Sequence, residues 1–275
     1  MIQNRNIKFV GVDLDGTLLR DDKTLCDGAE KLINSLAERG IHFVPITGRP
    51  YSGIPGCVKR LDAVEYIISS NGAKIMEAKT DRELFSFSLS NNKTLELISI
   101  MRNNNCMFEV FADHVGYAEK ELYDYYVREF TDTPIGDYIF SSRKITPSLE
   151  VLFEGTDRQA DEVFIDCRNP QARDDILKSI SGVSGISHCS LGDRFLEILK
   201  QGTDKGEAMA VLCDYLGVGL EQTIAFGDGE NDLQFLEKAG VAVAMENAFP
   251  CIKEKADIIT KSNNDNGVCE ILKLL

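Results

Sequence analysis

Two strand-like segments joined by a short amphipathic helix occupy the first part of this chain, and they restrict its fold more than any other feature. Residues Ile7–Val12 and Ile41–Ile46 are mostly apolar, as expected of strands that are covered on both faces. Between them, apolar residues recur at helical spacing from Ala29 to Ala37, behind an Asp27-x-x-Glu30 sequence typical of a capping box. Such a β-α-β unit requires parallel strands, so we predict an α/β fold with a parallel sheet.

The last part of the chain repeats this alternation of strands and helices. Apolar runs predict strands at Thr223–Phe226, Val241–Ala244 and Asp257–Thr260. Helical spacing predicts helices at Lys205–Leu216, closed by Gly217, and at Asn231–Ala239. The two ends of the chain are therefore expected to build one sheet.

The middle of the chain has a different pattern, because several segments alternate apolar and polar residues. This alternation is typical of strands with one solvated face. The predicted strands are Leu84–Leu89, Cys106–Ala112, Leu149–Glu154 and Glu162–Asp166, and the predicted helices are Lys93–Arg102 and Glu119–Phe130. We expect an α+β domain at 87–189, inserted into a discontinuous α/β core formed by 1–86 and 190–275.

Composition excludes several classes of partner. The net charge of −14 disfavours nucleic acid and anionic membranes. No apolar run approaches the roughly 20 residues of a membrane helix. The eight cysteines include no CxxC pair, so we interpret them as reduced thiols and expect a cytoplasmic protein. Any phosphate site in so acidic a chain must create its own positive potential.

The sequence Asp13-Leu14-Asp15-Gly16-Thr17 lies at the carboxyl end of the first predicted strand, where ligands of open α/β sheets bind. Two carboxylates placed so close together would repel each other, and one would take up a proton. A hard divalent cation relieves that repulsion, and Mg²⁺ commonly uses few carboxylates together with water and phosphate oxygens. The motif therefore predicts a magnesium site.

Three further motifs fall at the ends of other core elements. The sequence TGR at 47–49 closes the second strand, Lys205 begins a helix, and GDGEND at 227–232 follows the strand 223–226. Each alone is compatible with a helix cap, a surface lysine or a turn. Together with the first motif they place a hydroxyl, an ammonium and two acidic groups at one edge of one sheet, which is what phosphoryl transfer requires.

These four motifs resemble those of haloacid dehalogenase (HAD) superfamily phosphatases, specifically the Cof-type group with a large cap domain between the second and third motifs. The sequence SNGA at 70–73 is also similar to the Cof-type pattern. The resemblance covers the whole core, whereas the cap matches only in size and position. It implies a Rossmann-like parallel-sheet core with an inserted α+β cap.

The resemblance also implies a role for each motif residue. Asp13 would be the nucleophile and Asp15 the general acid and base. Magnesium would be held by Asp13, the backbone carbonyl of Asp15, and Asp228. The residues expected to contact the phosphate are Leu14 through its amide, Thr47, Gly48, Lys205 and Asn231. Asp232 would lie behind them, orienting Lys205 or a metal-bound water molecule.

The predicted function is magnesium-dependent hydrolysis of small phosphate monoesters, such as sugar phosphates or related phosphorylated metabolites, through an aspartyl-phosphate intermediate. The alternative is a phosphoacceptor or phosphate-binding regulatory module without turnover, against which the chain length, the inserted domain and Asp15 all argue. A thiol phosphatase motif, C-x5-R at 167–173, is discounted because Pro170 removes a backbone donor. No nucleic-acid or membrane partner is expected, and the sequence predicts no oligomeric state.

Overall fold

The computed structural model describes residues 5–275, and these divide into two compact units. Unit 1 comprises the described residues up to Gly48, together with Ile54–Ser86 and Asp204–Leu275. Unit 2 comprises Arg49–Gly53 and Phe87–Thr203.

The elements are numbered in chain order. The strands are β1 (Phe9–Val12), β2 (His42–Pro45), β3 (Tyr66–Ser69), β4 (Lys74–Glu77), β5 (Arg82–Ser86), β6 (Met107–Ala112), β7 (Val115–Glu119), β8 (Arg143–Thr146), β9 (Glu162–Asp166), β10 (Ile186–Leu191), β11 (Phe195–Lys200), β12 (Thr223–Gly227), β13 (Val241–Ala244) and β14 (Ile258–Ile259). The helices are α1 (Ala29–Glu38), α2 (Gly56–Lys59), α3 (Asn91–Asn103), α4 (Lys120–Phe130), α5 (Pro134–Ser142), α6 (Leu149–Phe153), α7 (Pro170–Ile180), α8 (Lys205–Leu216), α9 (Leu233–Lys238), α10 (Pro250–Lys255) and α11 (Gly267–Leu272).

The main sheet of unit 1 has the strand order β14-β13-β12-β1-β2, and all its neighbouring strands are parallel. Strands β1, β12 and β13 are buried along their whole length, as the apolar runs of the sequence predict for central parallel strands. Strand β1 lies between β12 and β2, with Phe9 opposite both Thr223 and His42. The predicted α/β class with a parallel sheet is confirmed.

Unit 1 also contains a small antiparallel sheet, β3-β4-β5, which the sequence analysis did not predict. The segment Leu84–Leu89 was expected to be the first strand of the inserted domain. The observed strand is Arg82–Ser86, and it pairs with β4 of unit 1. An alternating pattern indicates a half-solvated strand, but it does not indicate which sheet the strand joins.

Unit 2 is built on a six-stranded sheet with the order β10-β11-β9-β6-β7-β8, antiparallel except for the pair β7–β8. Its core includes side chains from three of its helices together with alternate residues of the sheet strands. Examples are Leu97 of α3, Phe153 of α6, Ile176 of α7, Val110 of β6 and Ile165 of β9. This is the α+β arrangement expected for the inserted segment.

The second boundary of unit 2 differs from the expected one. The insert was expected to end at residue 189, but β10 and β11 form a hairpin that continues the sheet beyond β9. Residues 190–203 therefore belong to unit 2, and the chain re-enters unit 1 at Asp204. The short segment Arg49–Gly53 also groups with unit 2. The cause is pairing between distant strands, which local patterns do not reveal.

Two local predictions are wrong. The segment Leu149–Glu154, expected as a strand, forms helix α6, and short apolar runs are ambiguous between the two structures. The expected capping box of α1 is absent among the described contacts: its N-cap residue is Gly28 at φ 79°, with no capping side chain. Asp27 therefore lies one position too early to act as the cap.

The burial pattern of α6 leads to a stability prediction. Leu149 and Phe153 are fully buried, whereas Val151 is 64% exposed. We expect Phe153→Ala to lower the free energy of unfolding by about 3–5 kcal/mol, because it leaves a cavity in the unit 2 core. The measurement is denaturant unfolding of the whole chain.

The matched control is Val151→Ala in the same helix, expected to change the free energy of unfolding by less than about 0.5 kcal/mol. In a strand, residues 149, 151 and 153 would all face the same side. Comparable losses for both variants would therefore contradict the helical assignment.

Candidate functional site

Three of the predicted site residues of unit 1 lie at the carboxyl ends of three adjacent parallel strands. Asp13 follows β1, Asp228 follows β12, and Thr47 lies two residues after β2. Strand β1 pairs in parallel with both neighbours, so the three loops leave the sheet at one edge. The amide of Asp13 donates a hydrogen bond to the carbonyl oxygen of Phe226 at 3.0 Å, which continues the ladder to the point where the acidic side chains begin.

Lys205 links Asp13 to a further acid, Asp232. It is the first residue of α8 and is only 1% exposed. Its Nζ lies 2.7 Å from Asp13 Oδ1 and 2.7 Å from Asp232 Oδ1. A buried ammonium is stable only when paired and hydrogen-bonded. Burial opposes the charged form, but the attraction of Asp13 and Asp232 outweighs it and raises the pKa of Lys205. Lys205 is therefore a fixed positive charge.

Asp232 is held in place from two sides. Its Oδ1 accepts the bond from Lys205, and its Oδ2 accepts the backbone amides of Asp228 and Gly229, each at 2.9 Å. These bonds fold the loop between β12 and α9 onto the Asp232 carboxylate. Gly227 has no side chain at the point where a Cβ would lie 2.6 Å from that of Asp232. Asp232 thereby fixes both the loop that bears Asp228 and the ammonium of Lys205.

Asp228 is positioned by the motif that follows β1. Thr17 Oγ1 donates a hydrogen bond to Asp228 Oδ1 at 2.7 Å. Gly16 has φ +80°, and a Cβ at that position would lie 2.3 Å from Asp228 Oδ2. The glycine is needed both for the left-handed backbone and for the close approach of the carboxylate. Gly16 and Thr17 thus bring the acids of two strand ends together.

The cluster has an excess of negative charge. Burial and, after it, the neighbouring Asp232 raise the pKa of Asp228 to about 7, although the bond from Thr17 opposes the rise. Burial likewise raises the pKa of Asp13, against the opposing attraction of Lys205. Three carboxylates face one ammonium, so two negative charges are left without compensation when all the acids are ionised.

This charge imbalance fits a divalent cation. Asp13, Asp228 and Asp232 can each offer one carboxylate oxygen such that the three oxygens lie within 4.8 Å of one another. Asp232 already accepts three hydrogen bonds, whereas Asp13 and Asp228 each accept one, at Oδ1. Asp13 and Asp228 are therefore better placed than Asp232 to bind a metal, and hard oxygen donors suit Mg²⁺. The predicted contribution of the Asp15 carbonyl stays a prediction.

The side chain of Asp15 has a different partner. Its Oδ1 accepts a hydrogen bond from Lys23 Nζ at 2.7 Å, and it is 36% exposed. Asp15 is thus separated chemically from Asp13: the first is partly solvated and paired with Lys23, whereas the second is buried and paired with Lys205. Adjacent acids in such different surroundings can carry different roles.

Thr47, Gly48 and Asn231 are connected through Asn71, to which the sequence analysis gave no role. The amide of Asn71 donates to the carbonyl oxygen of Thr47 at 3.0 Å, and Asn231 Nδ2 donates to Asn71 Oδ1 at 3.1 Å. A Cβ on Gly48 would lie 3.1 Å from the Asn71 amide group. Asn71 is 2% exposed and has φ +51°, a conformation that asparagine tolerates. The Asn-Gly pair after β3 was the signal for this turn.

The structure therefore groups the predicted residues in three ways. Asp13, Lys205, Asp228 and Asp232 form one cluster by direct contacts or close approach. Leu14 follows Asp13 and is fully buried. Thr47, Gly48 and Asn231 converge on Asn71, and Asp15 pairs with Lys23. In the described part of the chain, no helix is long and apolar enough to cross a membrane.

Known proteins are similar to this chain over nearly its whole length. A model of the haloacid dehalogenase-like hydrolase family matches residues 10–272. Among curated relatives, the Bacillus subtilis protein named 5-amino-6-(5-phospho-D-ribitylamino)uracil phosphatase YitU is 31% identical, over 96% of each chain. Phosphatase YwpJ of Bacillus subtilis is 28% identical, over 98% of this chain and all of its own length.

Solved structures give the same result. A haloacid dehalogenase-like hydrolase from B. subtilis superposes with a TM-score of 0.86 at 25% identity, over 97% of this chain and 99% of its own. TM0651 from Thermotoga maritima superposes with a TM-score of 0.80 at 26% identity, over 98% and 97%. The resemblance found in the motifs is confirmed, and so is the expected enzyme class, a phosphatase. This chain belongs to the haloacid dehalogenase-like hydrolase family.

Proposed function

We propose that this enzyme hydrolyses small phosphate monoesters, sugar phosphates or related phosphorylated metabolites, in a magnesium-dependent reaction that passes through an aspartyl phosphate on Asp13. The observation that carries the proposal is the buried ammonium of Lys205, held 2.7 Å from Asp13 and 2.7 Å from Asp232, beside Asp228. This is a local positive charge in a chain whose net charge is −14. Together with a divalent cation that offsets the excess negative charge of the cluster, this ammonium would attract an anionic substrate that the global field repels.

Asp13 has the geometry expected of the nucleophile. Lys205 holds its Oδ1, so the orientation of the carboxylate is fixed and Oδ2 is the oxygen left to react. Attack of Oδ2 on phosphorus forms the Asp13–phosphate bond and breaks the bond to the leaving alkoxide. The covalent intermediate splits one difficult hydrolysis into two easier steps. The same ammonium stabilises the negative charge on the phosphoryl oxygens.

Asp15 suits the proton transfers of both steps. It would donate a proton to the leaving alkoxide and then accept one from the water molecule that hydrolyses the aspartyl phosphate. The second step releases inorganic phosphate and restores both carboxyl groups. Its side chain is 36% exposed, which allows exchange of protons with solvent.

The remaining residues would bind the phosphate and the cation. Mg²⁺ would be held by Asp13, Asp228 and the carbonyl of Asp15, and when bound it would neutralise charge on the phosphoryl group. The phosphate would be contacted by Lys205, the Leu14 amide, Thr47, Gly48 and Asn231. Asp232 would fix Lys205, which its contacts to Nζ and to the 228–229 amides support.

One feature supports the proposed class of substrate, and another supports the proposed cellular compartment. The relative YitU is named for a substrate that is a phosphorylated polyol derivative, and we extend that class, small phosphorylated metabolites, to this chain. Unit 2, which we assign as the cap domain, would supply specificity. None of the eight cysteines, all of which lie in the described part of the chain, forms a disulfide, which supports a reducing compartment such as the cytoplasm.

Removal of the nucleophile is the first test. Asp13→Asn should lower the rate of phosphate release from p-nitrophenyl phosphate by at least about 10³-fold, because an amide cannot form the intermediate. The fold should persist, since the amide has nearly the same shape and the buried cluster loses an excess negative charge. Phosphate assay and thermal unfolding measure the two effects.

The control for this variant is Asp62→Asn, which alters an exposed carboxylate of unit 1 and should leave the rate unchanged. Near wild-type turnover by folded Asp13→Asn would refute the assignment. If wild-type protein incorporates one phosphate per chain without turnover, the regulatory alternative is correct instead.

Metal dependence is the second test. Chelation should abolish phosphatase activity, and Mg²⁺ should restore it. At about 100 times its dissociation constant, Mg²⁺ should stabilise the folded protein by about 2.7 kcal/mol, visible as a rise in melting temperature. Asp228→Asn should remove most of this rise, because the amide is a poorer ligand without charge.

The exposed residue Asp214 is the control: Asp214→Asn should retain the magnesium-induced rise. An equal rise in Asp228→Asn and wild type would show that the cation binds elsewhere. This readout does not depend on turnover.

A further inference from the structure

A short hairpin follows the first motif and carries Lys23 back to Asp15. Leu19 and Leu25 pair in an antiparallel bridge, and Arg20 N donates to Thr24 O at 2.9 Å. Lys23 lies in the turn at φ +63°, with its amide bonded to Arg20 O at 2.9 Å. A lysine adopts a positive φ only when its surroundings fix it there. The turn brings Lys23 Nζ to 2.7 Å from Asp15 Oδ1.

The hairpin is anchored independently of Lys23. The carboxylate of Asp21 accepts hydrogen bonds from Asn263 Nδ2 at 3.0 Å and from Asn264 Nδ2 at 2.8 Å. The Asp21 amide donates to Asn264 Oδ1 at 3.1 Å, and Asn263 Nδ2 also donates to Leu19 O at 3.0 Å. These bonds tie the hairpin to the loop before α11. The ion pair of Lys23 is therefore not required to hold the hairpin in place.

Among the described residues, the side-chain ammonium of Lys23 donates only to Asp15. Exposed ion pairs usually contribute less than about 1 kcal/mol to stability. Such a small contribution does not explain why Lys23 is held in an unfavourable backbone conformation. What the contact does constrain is the position of Asp15 Oδ1. Oδ1 accepts the bond from Lys23 whether the group is ionised or carries its proton on Oδ2, so the contact persists in both states.

We propose that Lys23 is a positioning residue for Asp15: by holding Oδ1, it directs Oδ2 toward the leaving-group oxygen. This inference rests on the proposed acid role of Asp15. Proton transfer requires the donor within about 2.6–3.2 Å of the acceptor. A carboxyl group that is one-third exposed keeps one orientation only where its contacts hold it, and the ammonium of Lys23 is one such contact on Asp15 Oδ1.

The test compares two substrates that differ in their need for an acid. The alkoxide leaving group of glycerol 2-phosphate requires a proton, whereas p-nitrophenolate leaves without one. Lys23→Met should lower kcat/KM for glycerol 2-phosphate about tenfold and for p-nitrophenyl phosphate only about two- to threefold, a fraction of the roughly 10²–10⁴-fold that general acid catalysis supplies. Asp15→Asn should show the same selectivity more strongly.

Two further variants separate positioning from general damage. Lys23→Arg, which keeps a cationic donor, should recover most of the activity toward glycerol 2-phosphate. Asp21→Ala, which loosens the hairpin while keeping Lys23, should show the same selective loss to a smaller extent.

The matched control is Lys93→Met in α3. Lys93 is 21% exposed and pairs with Glu96 at 2.6 Å, against 23% exposure and 2.7 Å for Lys23 with Asp15. The Lys93→Met substitution should leave kcat/KM unchanged for both substrates.

The proposal would be overturned if Lys23→Met lowered kcat/KM equally for the two substrates, or lowered it for neither. If wild-type enzyme released phosphate from neither substrate, the proposed function itself would fail and the inference with it.

Discussion

The whole site depends on one buried ammonium. Lys205 lies in the interior of unit 1 between the carboxylates of Asp13 and Asp232. Removing this ammonium would cost about 3–5 kcal/mol, because it would leave the buried carboxylates uncompensated. Asp13 comes from the loop after β1, Lys205 from the start of α8, and Asp232 from the loop after β12. The pairing therefore requires that these distant segments end at the same place, which the parallel sheet provides.

The same cluster is not electrostatically balanced, and this separates it from a structural ion pair. A network optimised for stability would match its charges, whereas here burial and mutual repulsion raise the pKa of both Asp13 and Asp228. Thr17 and Gly16 nevertheless bring Asp228 closer to the other acids. A site that gathers acids in this way lowers stability unless a cation binds, and such clusters are typical of functional sites.

The core and most of the cluster could be predicted from sequence because their causes are local. Apolar runs indicate buried strands, and the carboxyl ends of parallel strands must share an edge, so Asp13 and Asp228 were expected there. The errors have non-local causes. Helix α6 is too short for periodicity to distinguish it from a strand, and the hairpin of β10 and β11 belongs to unit 2 through pairing with β9. A segment of about ten residues shows neither the helical conformation of α6 nor the sheet that β10 and β11 join.

Asn71 and Lys23 were missed for a shared physical reason. Both lie in turns with φ near +50° to +60°, where no periodic pattern exists and the side-chain direction depends on the turn geometry. The direction of Lys23 depends further on Asp21, whose partner Asn264 lies 243 residues away in the chain. A motif identifies the residues that do chemistry, because chemistry restricts residue type. The residues that orient them are restricted by tertiary contacts, and only the folded structure shows which side chains those are.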